Sequence, residues 1–368
     1  MTNWNPLGSV PPYPADRYAG LADRIGGILG TSADVVLLQG EAIVALEAVA
    51  ASVAAPGRTA LVLVTSPYGE TVAGWLEAHG ARVRTLRTDG IQHIAAEALE
   101  AELHSEPAEV VYVTHGEAAT GIVNPLKELS AVARAHGALV IVDAVASVGG
   151  HPLAVDDWGI DIAVVGAQKS LAGPSSLSAV SVSPRAWDAL ESASASRASA
   201  PASVLSLLDL KHDWLDAGRG VLPGMPDPLS FWAFDAAVDA VLAEGVDAVI
   251  QRHARASSLA RSAVRALVSA IDGAEPAPAT DAAASTLVTL APVPGGVDES
   301  RLLAATARLD GTLSSAHGAA AGRFVRINHT GARANAAAVA TSVLAYGIAL
   351  RSLGVPADLN AAAEALAC

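Results

Sequence analysis

Two residues set the chemistry open to this chain. Lys169 stands in Gly166-Ala167-Gln168-Lys169-Ser170, and Asp143 ends the apolar run Ala138-Leu139-Val140-Ile141-Val142. In an open α/β sheet, a carboxylate at the carboxyl end of one strand and a lysine beyond the next can converge on one small aromatic ligand. A lysine amine forms a Schiff base with an aldehyde, and a carboxylate keeps a pyridine nitrogen protonated so that the ring takes up electrons from a carbanion. The pair therefore points to pyridoxal chemistry. Taken singly, a lysine or an aspartate in an α/β protein is more often a solvated residue or a helix cap, so the elements around Lys169 and Asp143 decide the matter.

Those elements alternate. Val35–Leu38, Ala60–Val64, Val110–Val113, Leu139–Val142, Ile162–Val165 and Leu177–Val182 read as buried strands, with helical stretches such as Glu41–Val53 and Pro125–His136 between many of them. The pattern predicts an α/β fold with a mostly parallel sheet flanked by helices. The Ser/Ala-rich segment Glu191–Ser203 reads as a surface loop. Pro228–Leu267 reads as a long helical bridge to a smaller C-terminal α+β unit, with strands expected at Thr286–Leu290 and Phe324–Ile327 and helical periodicity from Ala334 to Leu353. The expected division is a large pyridoxal-binding domain over 1–250 and a small domain over 251–368.

Composition narrows the partners. The chain has 368 residues, 52% hydrophobic and 16% charged, enough to bury a large core. Its net charge of −14 argues against a nucleic-acid surface, which needs clustered Lys and Arg. Apolar stretches are interrupted before they reach the roughly 20 residues of a membrane span, so no membrane association is expected. Met1–Pro6 lacks the basic start and apolar core of a secretory leader. The single cysteine, Cys368, can form no internal disulfide and no cysteine-based metal site. A cytoplasmic protein acting on small molecules, with no metal, is the expectation.

Several motifs recur in order: Thr114-His115-Gly116-Glu117-Ala118-Ala119-Thr120-Gly121, Asp143-Ala144-Val145-Ala146-Ser147, Gly159-Ile160-Asp161 and Gln168-Lys169. Together, from roughly Val35 to Arg326, the chain resembles the class V aminotransferases of fold type I. The resemblance implies Lys169 as the Schiff-base lysine, Asp143 as the partner of the pyridine nitrogen, Val145 beneath the ring and Gln168 on its substituents. It also implies at least a dimer, a homodimer or homotetramer, with the pocket near the interface.

One position departs from the pattern of relatives that use pyridoxal phosphate. They place hydroxyl and backbone N–H groups at the start of the first large helix, where a phosphate sits. Here the turn reads Gln39-Gly40-Glu41-Ala42. A carboxylate beside a phosphate is repelled by about 4 kcal/mol per pair of unit charges at an effective dielectric of about 20, whereas it accepts a hydrogen bond from an alcohol. Glu41 fits two roles, that acceptor or a first-turn complement to the helix dipole. Together with Tyr68, Ala243-Glu244-Gly245, Arg252-His253 and Arg326-Ile327-Asn328-His329-Thr330-Gly331, the turn resembles class V members that take unphosphorylated vitamin B6 as a substrate. That resemblance implies Glu41 and Ala42 at the hydroxymethyl group and Tyr68 stacked over the pyridine face; Tyr68 also suits a turn residue packed on the core.

By the same resemblance Arg326 grips a substrate carboxylate through two parallel N–H groups. His317 stands where such members carry a second arginine, and it also fits a loop histidine with no ligand. Arg323 falls on the opposite face of the strand and reads as a surface residue. Three differences accompany this: a short Asn5–Pro14 segment replaces a longer N-terminal one, Ala118 replaces a hydroxyl residue, and Ser170–Ser176 lacks consecutive prolines. The leading expectation is transfer of the amino group of free pyridoxamine to a small 2-oxo acid, pyruvate giving alanine. Two alternatives remain, a pyridoxal-phosphate-dependent alanine/serine–glyoxylate type of aminotransferase and a lapsed protein that only binds B6 vitamers.

Overall fold

The fold is taken from a computed structural model, which describes residues 10–88, 90–195, 203–309 and 311–367. Cys368, Met1–Pro6 and part of the Asn5–Pro14 segment lie outside them.

Seven strands make the main sheet: β1 (Asp34–Gln39), β2 (Thr59–Val64), β3 (Arg82–Arg87), β4 (Val110–Thr114), β5 (Leu139–Asp143), β6 (Ile162–Gly166) and β7 (Leu177–Val182). They lie in the order β1-β7-β6-β5-β4-β2-β3. Neighbours from β3 to β6 run parallel; β7 is antiparallel to both β6 and β1. β1 therefore points the same way as β6. The carboxyl ends of β1, β2, β4, β5 and β6 share one edge, which is where Glu41, Tyr68, Glu117, Asp143 and Lys169 follow in sequence.

The inner strands are buried along their whole length, as near-continuous Val/Ile/Leu/Ala runs require when both faces are covered. The helices α1 (Arg17–Leu29), α2 (Ala42–Val53), α3 (Pro67–Ala78), α4 (Ala96–Ser105), α5 (Leu126–Ala135), α6 (Pro184–Ala195), α7 (Leu207–Leu210) and α8 (Pro228–Glu244) wrap it. Among them α1 packs on β1, α2 on β6 and β7, α3 on β2 and β3, α5 on β5, and α8 on β7. One apolar cluster, from Tyr13 to Val249, fills the space between them.

Beyond α8 come α9 (Val246–Leu267), α10 (Glu299–Ala307), α11 (Ala336–Ser352) and α12 (Leu359–Ala367), with a three-stranded antiparallel sheet. Its order is β8-β10-β9, from β8 (Val288–Pro292), β9 (Leu313–Ser315) and β10 (Phe324–Asn328). A second apolar cluster, from Ala256 to Ala362, forms its core.

Three local expectations are corrected. The helical region Pro228–Leu267 is two helices, because Gly245 takes a positive φ of 89° between them. Thr286 and Leu287 precede β8: the Thr286 N–H donates to His151 Nε2 across 3.0 Å and its hydroxyl to Gly150 O across 2.6 Å, drawing this stretch onto the main sheet's loops. Residues Glu191–Ala195 of the expected loop complete α6, while 196–202 fall outside the described residues. No helix among the described residues is long and apolar enough to cross a membrane.

Candidate active site

The shared strand edge gathers the titratable residues. Asp143 closes β5 and is 6% exposed. Its Oδ1 accepts the Val145 N–H at 2.9 Å, and its Oδ2 takes only a long bond from the Tyr112 hydroxyl at 3.4 Å. Burial pushes its carboxyl up to about 6; the Val145 and Tyr112 hydrogen bonds and the Lys169 cation oppose this, and the Glu41 carboxylate adds to it. Lys169 and Glu41 therefore both lie within electrostatic reach of Asp143.

Glu41 caps α2: its Oε2 accepts the Ile43 N–H at 3.4 Å. Its Oε1 accepts the Gln168 side-chain amide at 2.6 Å. The pair joins the turn after β1 to the turn after β6. Gln168 Oε1 is buried and has no hydrogen-bond partner among the described residues. Beside it Gly166 leaves room that no larger residue could, since a Cβ there would lie 2.6 Å from Val145 Cγ1 and 2.9 Å from Gln168 Oε1. Ala42 is buried at the first position of α2.

A second group is built around β10 and the Ala118 loop. Arg326, on β10, sends Nε to Ser315 O and Nη1 to Ala118 O, both at 2.8 Å. No ion-pair partner meets it among the described residues; burial lowers its pKa, and Tyr68 lies within electrostatic reach. Tyr68 follows the N-cap Ser66 of α3 and is 46% exposed. It is thus not the core-packed turn residue that the sequence also allowed. His317 is exposed, its N–H 3.4 Å from Ala119 O; a Cβ on Gly318 would lie 3.2 Å from Pro67 Cδ, so this loop rests against the start of α3. Arg323 is exposed.

Sequence reasoning passed over Glu117. This carboxyl is buried, accepts the Thr65 hydroxyl at 2.9 Å, and is pushed up to about 7, mainly by burial. Its setting in His115-Gly116-Glu117, directly after a buried strand, was the available signal. Among the described residues no group of three or more His, Cys, Asp and Glu is placed to hold a metal.

A flat polar heterocycle fits these features. Among the described residues Gln168 Oε1 lacks a donor, Asp143 Oδ2 is weakly bonded and Arg326 lacks an anion, while Val145 and Gln168 pack against the bare backbone of Gly166. The sheet order and this edge define a fold type I aminotransferase architecture. The chain belongs to the class V aminotransferase family, whose model matches residues 16–292. It is 33% identical over 339 residues to the pyridoxamine–pyruvate transaminase of Mesorhizobium japonicum, covering 92% of this chain and 84% of that one. The crystal structure of pyridoxamine–pyruvate aminotransferase from Mesorhizobium loti superposes with a TM-score of 0.87 at 31% identity, over 95% of this chain and 87% of that one. The L-aspartate–glyoxylate aminotransferase of Paracoccus denitrificans is 28% identical over 91% of this chain and 83% of its own length. The family works through pyridoxal or pyridoxamine and Schiff-base chemistry.

Proposed function

We propose that this chain transfers the amino group of free pyridoxamine to a small 2-oxo acid, with pyruvate as acceptor and alanine as product, and releases pyridoxal. One observation supports the reading: Glu41 puts a carboxylate at the N-cap of α2 and is tied to Gln168 in the turn that carries Lys169, so a side arm of a B6 ring lying there would meet acceptor oxygens. An alcohol donates a hydrogen bond to such acceptors. A phosphate at neutral pH brings charge and acceptor oxygens, and is repelled by the carboxylate.

The remaining roles follow from the side chains. When bound, the vitamin supplies a carbon that exchanges an amine for an aldehyde and a pyridine that accepts electrons. Lys169 would bond to the aldehyde carbon through Nζ and, when free, carry a proton between the two reacting carbons. Asp143 would hold the proton on the ring nitrogen, Val145 would support one ring face and Tyr68 would cover the other. Arg326, with its Nη2 making no hydrogen bond among the described residues, would take the oxo acid's carboxylate, and His317 would line that end of the mouth. We assign residues 1–250 to a pyridoxal-binding domain and 251–368 to a small domain bridged by α9, in a cytoplasmic assembly of at least two chains.

The test is kcat/KM with pyruvate for pyridoxamine and for pyridoxamine phosphate. Preference for the free vitamin supports the reading. Preference for the phosphate overturns it in favour of a pyridoxal-phosphate-dependent glyoxylate-type enzyme, and binding without an amino-acid product leaves a protein that only holds B6 vitamers.

A further inference from the structure

The turn after β10 touches the main chain of Lys169. Gly331 has φ +62°, and a Cβ there would lie 2.6 Å from the Lys169 carbonyl oxygen and 3.3 Å from Ala172 Cβ. That carbonyl also accepts the Ala172 N–H at 3.0 Å, closing a turn in which Ala172 is held in the left-handed region at φ 58°. Beside it Ser170 Oγ donates to Ala146 O at 2.8 Å and lies 3.2 Å from Thr330 Oγ1. The backbone of the lysine turn is thus wedged between the loop after β5 and residues 330–331.

Both main-chain polar groups of Gly331 are taken by consecutive residues of α9. His253 is fully buried. Its Nδ1 lies 2.8 Å from Val249 O, and since a carbonyl only accepts, Nδ1 carries the hydrogen and Nε2 is left as an acceptor. Nε2 receives the Gly331 N–H at 2.9 Å. Arg252 Nη1 donates to Gly331 O at 2.9 Å, while its Nε and Nη2 hold the Glu244 carboxylate at 2.7 and 3.0 Å. Glu244 ends α8 one residue before the Gly245 break, so the ion pair also fixes the angle at which α9 leaves α8.

We propose that His253 and Arg252 are positioning residues, a clamp through which α9 seats the Gly331 turn against Lys169 and fixes the direction in which its amine enters the site. This rests on Lys169 being the Schiff-base lysine. A lysine side chain has four rotatable bonds, so its amine is aimed only if the backbone that carries it is held. An ångström of misplacement costs about a hundredfold in rate.

The test uses the full chain as parent, His253→Ala, His253→Gln and Arg252→Ala. Each is mixed with pyridoxal or, separately, its phosphate, and the covalent adduct on Lys169 is trapped with borohydride and quantified by mass spectrometry. Binding of 4-deoxypyridoxine, which keeps the ring but has no aldehyde, is measured alongside, with amide hydrogen exchange of the 328–333 segment in the free protein. His253→Ala should slow trapping by about tenfold or more, leave deoxypyridoxine binding within about twofold, and speed exchange of the segment. His253→Gln keeps an acceptor at the same reach and should recover most of the rate. Arg252→Ala, at a half-buried site, should show the same pattern more weakly and serves if His253→Ala does not fold. Trapping at the parent's rate in both alanine variants overturns the clamp, as does a loss of trapping matched by an equal loss of deoxypyridoxine binding. A parent that forms no adduct on Lys169 with either aldehyde overturns the lysine assignment itself, and the clamp with it.

Discussion

The Gln168 amide nitrogen meets Glu41 Oε1 at 2.6 Å, and this single bond turns the other end of the amide, Oε1, into a buried acceptor with no donor among the described residues. The orientation follows from chemistry: an ionised carboxylate only accepts, so the amide must present its NH2 to Glu41. Two turns far apart in sequence, after β1 and after β6, thereby build one acceptor surface. Under the proposed function its sign would be the specificity device, since a hydroxyl would complete it and a phosphate would not.

Replacing Glu41 with serine removes the carboxylate and frees the Gln168 amide to donate. Free pyridoxamine should bind more weakly, and preference should move toward pyridoxamine phosphate by more than about tenfold, because about 1.4 kcal/mol of selectivity is enough for that factor and the lost repulsion is larger even after screening. The measurement is kcat/KM for both forms in parent and variant. Unchanged selectivity would place Glu41 outside the recognition of the ring's side arm.

Lys169→Ala should abolish the absorption band that appears when pyridoxal is added, together with nearly all turnover, because no other primary amine is assigned to the site. Its circular dichroism should match the parent. Substantial turnover in this variant would remove the covalent role.

Much of this site was legible because its side chains sit at strand ends. Asp143, Glu41 and Lys169 each follow a Val/Leu/Ile run, and those runs became β5, β1 and β6. β3 escaped notice because Arg82, Arg84 and Arg87 break up its apolar pattern. It is an edge strand, paired on one side only, and its arginines answer Glu102, Glu106 and Glu70. β9 is only three residues long. Ala118 read as a lost hydroxyl, yet what it contributes is a main-chain oxygen for Arg326, and Ser315 does the same. A carbonyl belongs to every residue type, so composition gives no sign of it. His253 was visible in the sequence beside Arg252, but its reach to Gly331 depends on how α9 lies against the turn after β10, which no local pattern encodes.

Arg326→Lys keeps the charge and loses the planar fork. The Ser315 and Ala118 carbonyls that aim the guanidinium cannot both be met by one ammonium in the same geometry. The oxo acid should bind more weakly by about 1.5–3 kcal/mol, the worth of a hydrogen bond to a charged group, with little change for pyridoxamine. KM for each substrate at saturating partner reports this. Equal weakening of both would make Arg326 a strut between β10 and the Ala118 loop.

Burial makes the Asp143 carboxylate costly to the fold, and the sign of its pH dependence can be worked out. Burial raises its carboxyl from 3.8 to about 6, so between those values the folded chain holds more protons than the unfolded one. Stability from this group is therefore greatest below about pH 4, falls as pH rises through that window, and stays reduced above about pH 6. Asp143→Asn keeps an acceptor for the Val145 N–H and carries no charge. The ligand-free variant should be more stable than the parent at pH 8, by up to about 3 kcal/mol for a shift of roughly two pKa units. The gain should shrink at pH 5. Glu117, raised to about 7 by burial and by Asp143, should titrate lower in the variant, leaving a smaller slope between pH 5 and 7. Turnover should fall by several orders of magnitude, because an amide oxygen cannot hold a charged ring nitrogen as a carboxylate does. Thermal unfolding of both ligand-free proteins across pH 5 to 8 decides the matter. A variant no more stable than the parent at pH 8, or one whose gain does not change with pH, would mean that Asp143 carries no buried charge in the free protein.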